Sequence, residues 1–397
     1  MTDFKEAMDL CETLHLHGYK AYMVGGCVRD MLLGKNPKDY DIATNAKPEK
    51  VMSIFPNNVP TGLKHGTVTV VGKTNIEVTT FRKESNYDGR SPETVEFVDD
   101  LEEDLARRDF TINAIALDPI RGGIIDPYDG GKDIIKKIIR CVGDPNERFK
   151  EDALRVFRAI RFVSQLGFVL EDSTFQGVKE NYKQLKNISM ERRRDELVKL
   201  LNGEFVVPGL LLMFFSGVLS TFDYPSLEDI YLWAERIKAC ENKLMMFFLP
   251  FSLEGPIKKD ELVNKFKLSE KEAKLISKTL NFHMDFPLTR KILIDALIKE
   301  GREVITEYIK LRIVIMNKYF ESNALLSSVL NSEVPLSLKE LNVNGDDLIS
   351  TLGVKGKELG KLLIDLLYWA SEEPGRNWKE FLLMKAKELH NSKDDLV

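Results

Sequence analysis

The chain has 397 residues and a formal net charge of −5, with 43 % hydrophobic and 30 % charged side chains. Its length suits several packed modules, its ordinary apolar fraction excludes wholesale disorder, and its acidic balance argues against indiscriminate affinity for nucleic acid. The four cysteines are scattered along the chain, which argues against a disulfide framework or a zinc finger and predicts a reducing, cytoplasmic location.

The first third of the chain is predicted to mix helices and strands. Apolar residues recur at helical spacing over residues 4–14, and Gly18 marks the end of that helix. A second helix begins at Pro48, and the Gly-, Asp- and Pro-rich segment 120–133 predicts a loop or a domain boundary. Short β-rich runs bounded by Gly, Asn and Lys occur at residues 21–24, 41–43, 67–71 and 76–81.

Helical periodicity dominates from residue 144 onward. Ser269 and Glu272 have the spacing of a capping box, and the leucines within 359–367 mark a late amphipathic helix. Residues 205–222 carry no charge, but they contain Pro208 and Gly209. We therefore expect a buried helix pair there and no membrane span.

The densest chemistry lies in residues 24–42. Gly25 and Gly26 follow a short apolar run, where the backbone can turn tightly and direct its N–H groups at a phosphate. Asp39 and Asp41 follow twelve residues later, and their i, i+2 spacing on a strand puts both carboxylates on one face. Paired carboxylates beside a triphosphate are what Mg²⁺ requires. Asp39 and Asp41 are therefore the predicted catalytic residues and metal ligands.

This pattern resembles the active-site signature of the polymerase-β-like nucleotidyltransferase superfamily. Residues 24–44 resemble in particular its class II tRNA nucleotidyltransferase branch, the bacterial CCA-adding enzymes. The resemblance is strong over residues 20–200. Further family-like blocks follow in the family's order at residues 65–68 (HGTV), 77–82 (EVTTFR), 107–114 (RRDFTINA) and 151–155 (EDALR).

The resemblance implies the fold class, the domains and the activity. The fold would be α+β, with a small mixed α/β nucleotidyltransferase head, built on an antiparallel-type sheet with helices, followed by an all-α neck, body and tail. The family adds C, C and A to the 3′ end of tRNA without a nucleic-acid template, using CTP, ATP and Mg²⁺. The oligomeric state is left open, with a homodimer as one candidate. The implied domains are the catalytic head (1–140), the neck that recognises the nucleotide base (141–200), the helical body (201–300) and the helical tail that binds tRNA (301–397).

Arginines are the expected ligands of the nucleotide. A guanidinium is a permanently charged, forked donor that suits phosphate oxygens, which places Arg29 and Arg108 on the triphosphate. Glu77 is a candidate third carboxylate or the partner of an arginine, Asp109 would orient Arg108 or the sugar, and His65 is interpreted as structural. By the resemblance, the nucleotide-binding residues are Gly26, Arg29, Arg108, Asp152, Arg155, Arg158 and Arg161.

Asp152 and Arg155 offer a way to select a base. Residues 151–155 are predicted to be helical, so the two side chains lie together at i and i+3, where such a pair is ordinarily a surface ion pair. The Watson–Crick edges of cytosine and adenine both present an amino donor beside a ring-nitrogen acceptor, which a carboxylate and a guanidinium would match. Uracil and guanine present the reverse order and would be refused. The resemblance agrees, since the family's EDxxR motif acts as an amino-acid template.

Other segments are candidates for contacts with RNA. The basic cluster of residues 190–194 with Lys199 suits RNA phosphates, and the Gly/Lys stretch 353–361 is either such a contact or a solvated turn. Residues 83–100 are polar and are predicted to form a mobile surface loop. In the family, this loop is associated with the switch to ATP. The tryptophans are expected in cores rather than as base-stacking platforms: Trp233, Trp369 and Trp378.

Three alternatives stay open, and a fourth is excluded. A bacterial poly(A) polymerase shares the superfamily and the head, but residues 60–66 lack its Gly-basic-basic-Phe run. A CC-adding enzyme would have a shorter segment between Arg82 and Arg107. A catalytically inactive RNA-binding protein would gain nothing from clustered carboxylates near phosphate. An attached phosphohydrolase domain is excluded because the sequence has no adjacent His-Asp pair.

Overall fold

The computed structural model describes residues 2–87, 92–284, 287–316 and 320–394. The chain divides into two compact units. Unit 1 comprises Met1–Tyr224 and Glu228–Ala234, and unit 2 comprises Pro225–Leu227 and Glu235–Val397. The strands assigned within the described residues belong to unit 1, whereas unit 2 is built from helices, which confirms the predicted α+β class.

The strands of unit 1 are short and rich in β-branched residues, which pack well on a pleated surface. In chain order they are β1 (Ala21–Val24), β2 (Asp41–Thr44), β3 (Asn58–Gly62), β4 (Thr67–Val71), β5 (Asn75–Thr80), β6 (Arg82–Tyr87), β7 (Pro92–Phe97), β8 (Ala116–Leu117), β9 (Ile124–Ile125), β10 (Ile138–Ile139) and β11 (Val169–Leu170). Seven of them form one sheet in the order β3-β4-β5-β2-β1-β8-β9. Its neighbouring strands are antiparallel except β2 and β5, which are parallel.

Helices flank this sheet in the chain and then take over. They are α1 (Thr2–Leu16), α2 (Gly26–Leu32), α3 (Pro48–Ile54), α4 (Leu101–Ala106), α5 (Gly130–Lys136), α6 (Pro145–Glu151), α7 (Leu154–Leu166), α8 (Asp172–Asn181), α9 (Met190–Leu201), α10 (Val206–Phe215) and α11 (Ile230–Ala239). Short 3₁₀ helices lie at Leu63–His65, Thr111–Asn113, Tyr182–Asn187 and Val218–Phe222. The uncharged segment 205–222 thus holds α10 and a 3₁₀ helix. No helix among the described residues is long and apolar enough to cross a membrane.

A buried cluster fixes the end of β1. Val24 on β1, Ala43 on β2 and Ala116 on β8 pack together with Phe81 and Leu105. Burying apolar area is the main source of folding free energy, so this cluster holds the strand ends firmly. The turn that follows β1 is consequently presented at a defined place beside the start of β2.

Residues 83–100 are more regular than the loop predicted for them. β6 and β7 pair as an antiparallel hairpin from Arg82 opposite Phe97 to Tyr87 opposite Pro92. Asp100 then caps α4 by accepting a hydrogen bond from the Glu102 N–H at 3.0 Å. Asp88, Arg90 and Ser91, which belong to the predicted loop, lie outside the described residues.

The prediction of a continuous helix over residues 151–155 is wrong. α6 ends at Glu151, Asp152 takes an extended conformation (φ −140°, ψ 105°), and α7 begins at Leu154. The Asp152 carboxylate accepts a hydrogen bond from the Leu154 N–H at 3.0 Å. Aspartate competes for backbone N–H groups in this way, which favours a helix start over a helix interior.

Unit 2 is a succession of helices, and its buried apolar clusters include one within residues 293–336 and one within residues 341–386. The predicted capping box is confirmed, because Ser269 and Glu272 exchange side-chain to backbone hydrogen bonds at the start of a helix. Trp378 is 65 % exposed, so its predicted core position is wrong, whereas Trp233 of unit 1 is buried. The helices are α12 (Lys243–Glu254), α13 (Lys259–Asn264), α14 (Glu270–Asn281), α15 (Arg290–Glu300), α16 (Arg302–Met316), α17 (Phe320–Leu330), α18 (Gly345–Leu352), α19 (Gly356–Glu372) and α20 (Lys379–Asp394), with a 3₁₀ helix at Leu338–Glu340.

Candidate active site

One open cavity of about 690 Å³ in unit 1 collects the residues that the sequence singled out. Its lining includes all of the predicted site residues: Gly26, Arg29, Asp39, Asp41, Arg108, Asp152, Arg155, Arg158 and Arg161. Its other lining residues are Gly25, Arg107, Asp109, Asn113, Leu154, Phe162, Arg192 and Lys199. Eight arginine or lysine side chains and four aspartates therefore face one space, a composition that suits a polyphosphate together with a cation.

The glycine turn brings an arginine close to the backbone. Gly25 has φ +77°, a left-handed conformation that a side chain would strain. A Cβ atom on Gly25 would lie 2.8 Å from Nη1 of Arg108 and 3.9 Å from a carboxylate oxygen of Asp41. Glycine at this position is thus required both by the turn and by the approach of Arg108.

Asp39 and Asp41 stand beside this turn. Asp41 is the first residue of β2 and is the register partner of Val24 on β1, whereas Asp39 lies in the bend before the strand. Tyr40 between them is buried, whereas both aspartates are exposed. The two carboxylates therefore share the exposed side of this segment, as their i, i+2 spacing predicted, although β2 itself begins only at Asp41.

The charge state of Asp41 reflects its surroundings. Although the Asp41 side chain is accessible to solvent, it lies in the wall of the cavity, where the surrounding protein displaces part of its water. This desolvation raises the pKa of Asp41 to about 6, Arg108 acts in the opposite direction, and the charges of Glu77 and Asp39 raise it further. Glu77 is exposed on β5, where it is the register partner of Asp41. Glu77 is thus accessible to solvent, and its charge acts on Asp41.

The donor set fits a magnesium ion that shares its ligands with a substrate. Within the described residues, no group of three or more His, Cys, Asp or Glu side chains forms a complete metal site. Mg²⁺ is ordinarily held by one or two carboxylates, with phosphate oxygens and water completing its shell. The hard oxygens of Asp39 and Asp41, next to arginines suited to phosphate, meet that requirement.

Three arginines that line the cavity are held by acidic residues. Arg29 donates to Asn113 Oδ1 at 2.6 Å and bonds Asp30 through Nε and Nη2 at 2.9 and 2.7 Å. Asp104 on α4 is fully buried and pairs with Arg107 at 2.8 Å and with Arg108 at 3.3 Å. Burial raises the pKa of Asp104, but Arg107 and Arg108 outweigh it and hold that pKa below its usual range. Asp104 is not among the residues predicted from the sequence, although its i−3 and i−4 spacing to the two arginines is a signal that could have found it.

Asp109 holds an arginine of α7. It accepts from Nε of Arg158 at 2.7 Å, from the Asn113 amide at 3.2 Å and from the Phe110 N–H at 2.9 Å. Burial raises the pKa of Asp109, but Arg158 and Arg155 more than offset this and keep it at about 2. The expected contact with Arg108 is thus replaced by one that ties the strand-rich part of unit 1 to α7.

The remaining basic residues of the cavity have their own partners. Arg161 pairs with the buried Glu196 on α9 at 2.5 Å and stacks over the Phe162 ring, 4.1 Å from its centroid. Arg192, which the sequence placed in an RNA-binding cluster, lines this cavity and bonds Asp152 at 3.0 Å.

His65 is exposed, and its carbonyl oxygen accepts a hydrogen bond from Arg82.

Comparisons with known proteins agree with this geometry. Residues 21–140 match the family model of the poly(A) polymerase head domain, and residues 167–230 match the model of a probable RNA and SrmB-binding site of polymerase A. The CCA-adding enzyme of Ligilactobacillus salivarius (strain UCC118) is 39 % identical over 98 % of each chain. The CCA-adding enzyme of Geobacillus thermodenitrificans (strain NG80-2) is 51 % identical over 59 % of this chain, so that match spans little more than half (58 %) of its own length.

A solved structure has the same fold over its whole length. The crystal structure of the Bacillus stearothermophilus CCA-adding enzyme in complex with CTP superimposes with a TM-score of 0.82 and 33 % identity, and the match covers 100 % of both chains.

The Asp109 ion pair generates a prediction about stability. Because the pKa of Asp109 is about 2 in the folded protein and about 3.9 when unfolded, the fold is about 2 kcal/mol more stable above pH 5 with this carboxyl ionised than it would be with it protonated. That contribution is lost as the pH falls through the interval between the two pKa values. The free energy of unfolding in urea should therefore differ between the wild type and Asp109→Asn by a constant amount from pH 7 to 5, and this difference should become smaller towards pH 3. A difference in unfolding free energy that does not change with pH would contradict the role assigned to the Asp109 charge.

Proposed function

The chain belongs to the family of CCA-adding enzymes, and from this premise we propose that it adds C, C and A to the 3′ end of tRNA without a nucleic-acid template. The substrates are CTP and ATP, and the RNA 3′-hydroxyl attacks the α-phosphate with release of diphosphate. The observation that carries the proposal is the single cavity in which paired carboxylates, phosphate-binding arginines and the Asp152–Arg155 pair meet.

Nucleotidyltransferases of this family generally use a divalent metal ion. We assign Mg²⁺ to Asp39 and Asp41. When bound there, two such ions would activate the attacking hydroxyl and stabilise the leaving oxygen of an in-line displacement. Arg29 and Arg108 bind the triphosphate, and Gly26 at the start of α2 lines the same cavity. The ion pairs with Asp30 and Asp104 hold these two arginines in place before the nucleotide arrives.

Asp152 and Arg155 select the base. The carboxylate accepts a hydrogen bond from the amino group of cytosine or adenine, while the guanidinium donates to the ring nitrogen beside it. UTP and GTP would leave polar groups unmatched in the site, which is costly. Arg158 and Arg161 complete the nucleotide site from the same helix, and Asp109 and Glu196 hold them.

We propose four domains along the chain. Residues 1–140 form the catalytic head, 141–200 the neck, 201–300 the body and 301–397 the tail, with tRNA bound by the body and tail. The four cysteines are free and buried, which fits the reducing cytoplasm that we propose as the compartment.

The first prediction concerns the reaction itself. Incubation with tRNA that lacks its 3′ end, with Mg²⁺ and with each nucleoside triphosphate in turn should give addition of two C residues and then one A. The products are resolved on a gel at single-nucleotide resolution. Long A tails would select a poly(A) polymerase, and arrest after two C residues with all substrates present would select a CC-adding enzyme. Absence of any product would favour an inactive RNA-binding protein.

The second prediction tests the carboxylates. Asp39→Ala or Asp41→Ala should abolish transfer while the thermal unfolding midpoint and the affinity for tRNA stay close to those of the wild type, because both side chains are exposed rather than packed. Asp129→Asn is the matched control, since this exposed aspartate pairs with Lys132 outside the cavity. Turnover near that of the wild type in either alanine variant would remove the metal assignment.

The third prediction tests base selection. Asp152→Ala should lower the use of CTP and ATP and erode the discrimination against UTP, because the acceptor for the amino group disappears. Loss of one hydrogen bond that involves a charged group costs roughly 1.5–3 kcal/mol, or about one to two decades in kcat/KM. The measurement is kcat/KM for each nucleotide. If stability alone changed and the nucleotide preference stayed intact, Asp152 would be a structural ion-pair partner.

A further inference from the structure

Asp152 and Arg155, the proposed base-selecting residues, each form an ion pair with another residue: Asp152 with Arg192, and Arg155 with Glu151. Asp152 accepts from the Leu154 N–H through Oδ1 and from Nη2 of Arg192 through Oδ2, both at 3.0 Å. Arg155 donates to the Glu151 carboxylate and to the carbonyl oxygen of Arg107, the latter at 3.0 Å.

This arrangement matters because an aspartate and an arginine three residues apart on one helix would ordinarily pair with each other. If the carboxylate and the guanidinium bonded each other, the atoms that must bind the base would already be engaged in their own ion pair. The helix break at Asp152 and the bond to Arg192 direct the carboxylate to a different partner. An ionised carboxylate offers about four lone-pair sites. The bonds to Leu154 and Arg192 leave acceptor capacity for an amino group in the cavity.

We propose that Arg192 is a positioning residue for base selection. It orients the Asp152 carboxylate so that cytosine and adenine are accepted and uracil is refused. The inference rests on the proposed function. It reassigns Arg192 from the RNA-binding cluster in which the sequence placed it, and it gives the selectivity a determinant on α9, outside the helix that carries Arg155.

The neighbours of Arg192 support this separation. Arg193 is buried and donates to the Thr221 carbonyl oxygen at 2.7 Å, and Arg194 bonds Asp195 at 2.7 Å. The three consecutive arginines thus have different partners, and the cavity lining includes Arg192. Glu196, one turn further along α9, holds Arg161 in the same cavity. α9 therefore supports the nucleotide site through two separate ion pairs, one with Arg161 on α7 and one with Asp152, two residues before α7 begins.

The test compares Arg192→Ala, Arg192→Lys and the wild type on tRNA that lacks its 3′ end, with CTP or UTP as the sole nucleotide. In Arg192→Ala, we expect KM for CTP to rise about tenfold and the CTP-to-UTP ratio of kcat/KM to fall about tenfold, with kcat at saturating CTP largely retained. Arg192→Lys keeps the charge without the fork, so it should recover much of this discrimination. Arg140→Ala is the control, because it removes an arginine paired with Asp133 and Glu171 away from the cavity.

A double-mutant cycle with Asp152→Ala isolates the route of the effect. If Arg192 acts through Asp152, then adding Arg192→Ala to Asp152→Ala should change the CTP-to-UTP ratio no further. Additive losses would overturn the proposal. So would an Arg192→Ala variant whose KM rises for tRNA alone, which would return Arg192 to an RNA contact.

Folding and function are checked separately. Thermal unfolding is measured for each variant. If Arg192→Ala does not fold, the nucleotide preference of Arg192→Lys and Arg192→Gln is measured instead. An unchanged preference for CTP over UTP in both variants would overturn the proposal. Wild-type protein that incorporates neither CTP nor ATP would refute the proposed function. Wild-type protein that adds C, C and A, together with an unchanged preference in the Arg192 variants, would refute this inference alone.

Discussion

The site depends on the balance of charge in one cavity. Eight cationic side chains converge on it, and their mutual repulsion opposes the folded state unless acids lie among them. The structure supplies these acids from buried positions, with Asp104 beside Arg107 and Arg108, Asp109 beside Arg158, and Glu196 beside Arg161. A buried ion pair contributes little net stability, but loss of one partner leaves an uncompensated charge, which is costly. The acids therefore serve to hold the arginines in place.

Held in this way, the arginines are organised before substrate binds. A nucleotide meets donors whose orientation is already fixed, so less ordering entropy is lost on binding and less reorganisation accompanies transfer. Several of the bonds also join the strand-rich part of unit 1 to α7. Asp109 bonds Arg158, and Arg155 donates to the Arg107 carbonyl oxygen, so the residues that we propose for the triphosphate and those that we propose for the base share a common framework.

The sequence predicted those features that local physics decides. The β-branched run 67–71 is β4 as bounded from composition, and the predicted capping box at Ser269 is present. The spacing from Gly25 to Asp41 predicted a glycine turn and a pair of carboxylates. The two lie together because β1, which ends before the turn, pairs with β2, which begins at Asp41. What failed depends on distant partners. The break at Asp152 is accompanied by an ion pair with Arg192, forty residues away, and Glu196 could not be matched to Arg161 without the packing of α7 on α9. The exposure of Trp378 likewise follows from tertiary packing, which overrides the general preference of tryptophan for the interior.

The hydrogen-bond pattern that admits cytosine also admits adenine, so the Asp152–Arg155 pair alone gives the set {C, A} and no order within it. Shape does not supply the order either, because a cavity of about 690 Å³ that is open to solvent leaves room for a purine as well as a pyrimidine. The order of addition then has to come from a component that changes between steps. By the family resemblance, the segment 83–100 is the candidate for that component, and β6 and β7 form its described part. In the proposed reaction, Asp152 and Arg155 would set which bases are accepted, and this segment would set when each one is used.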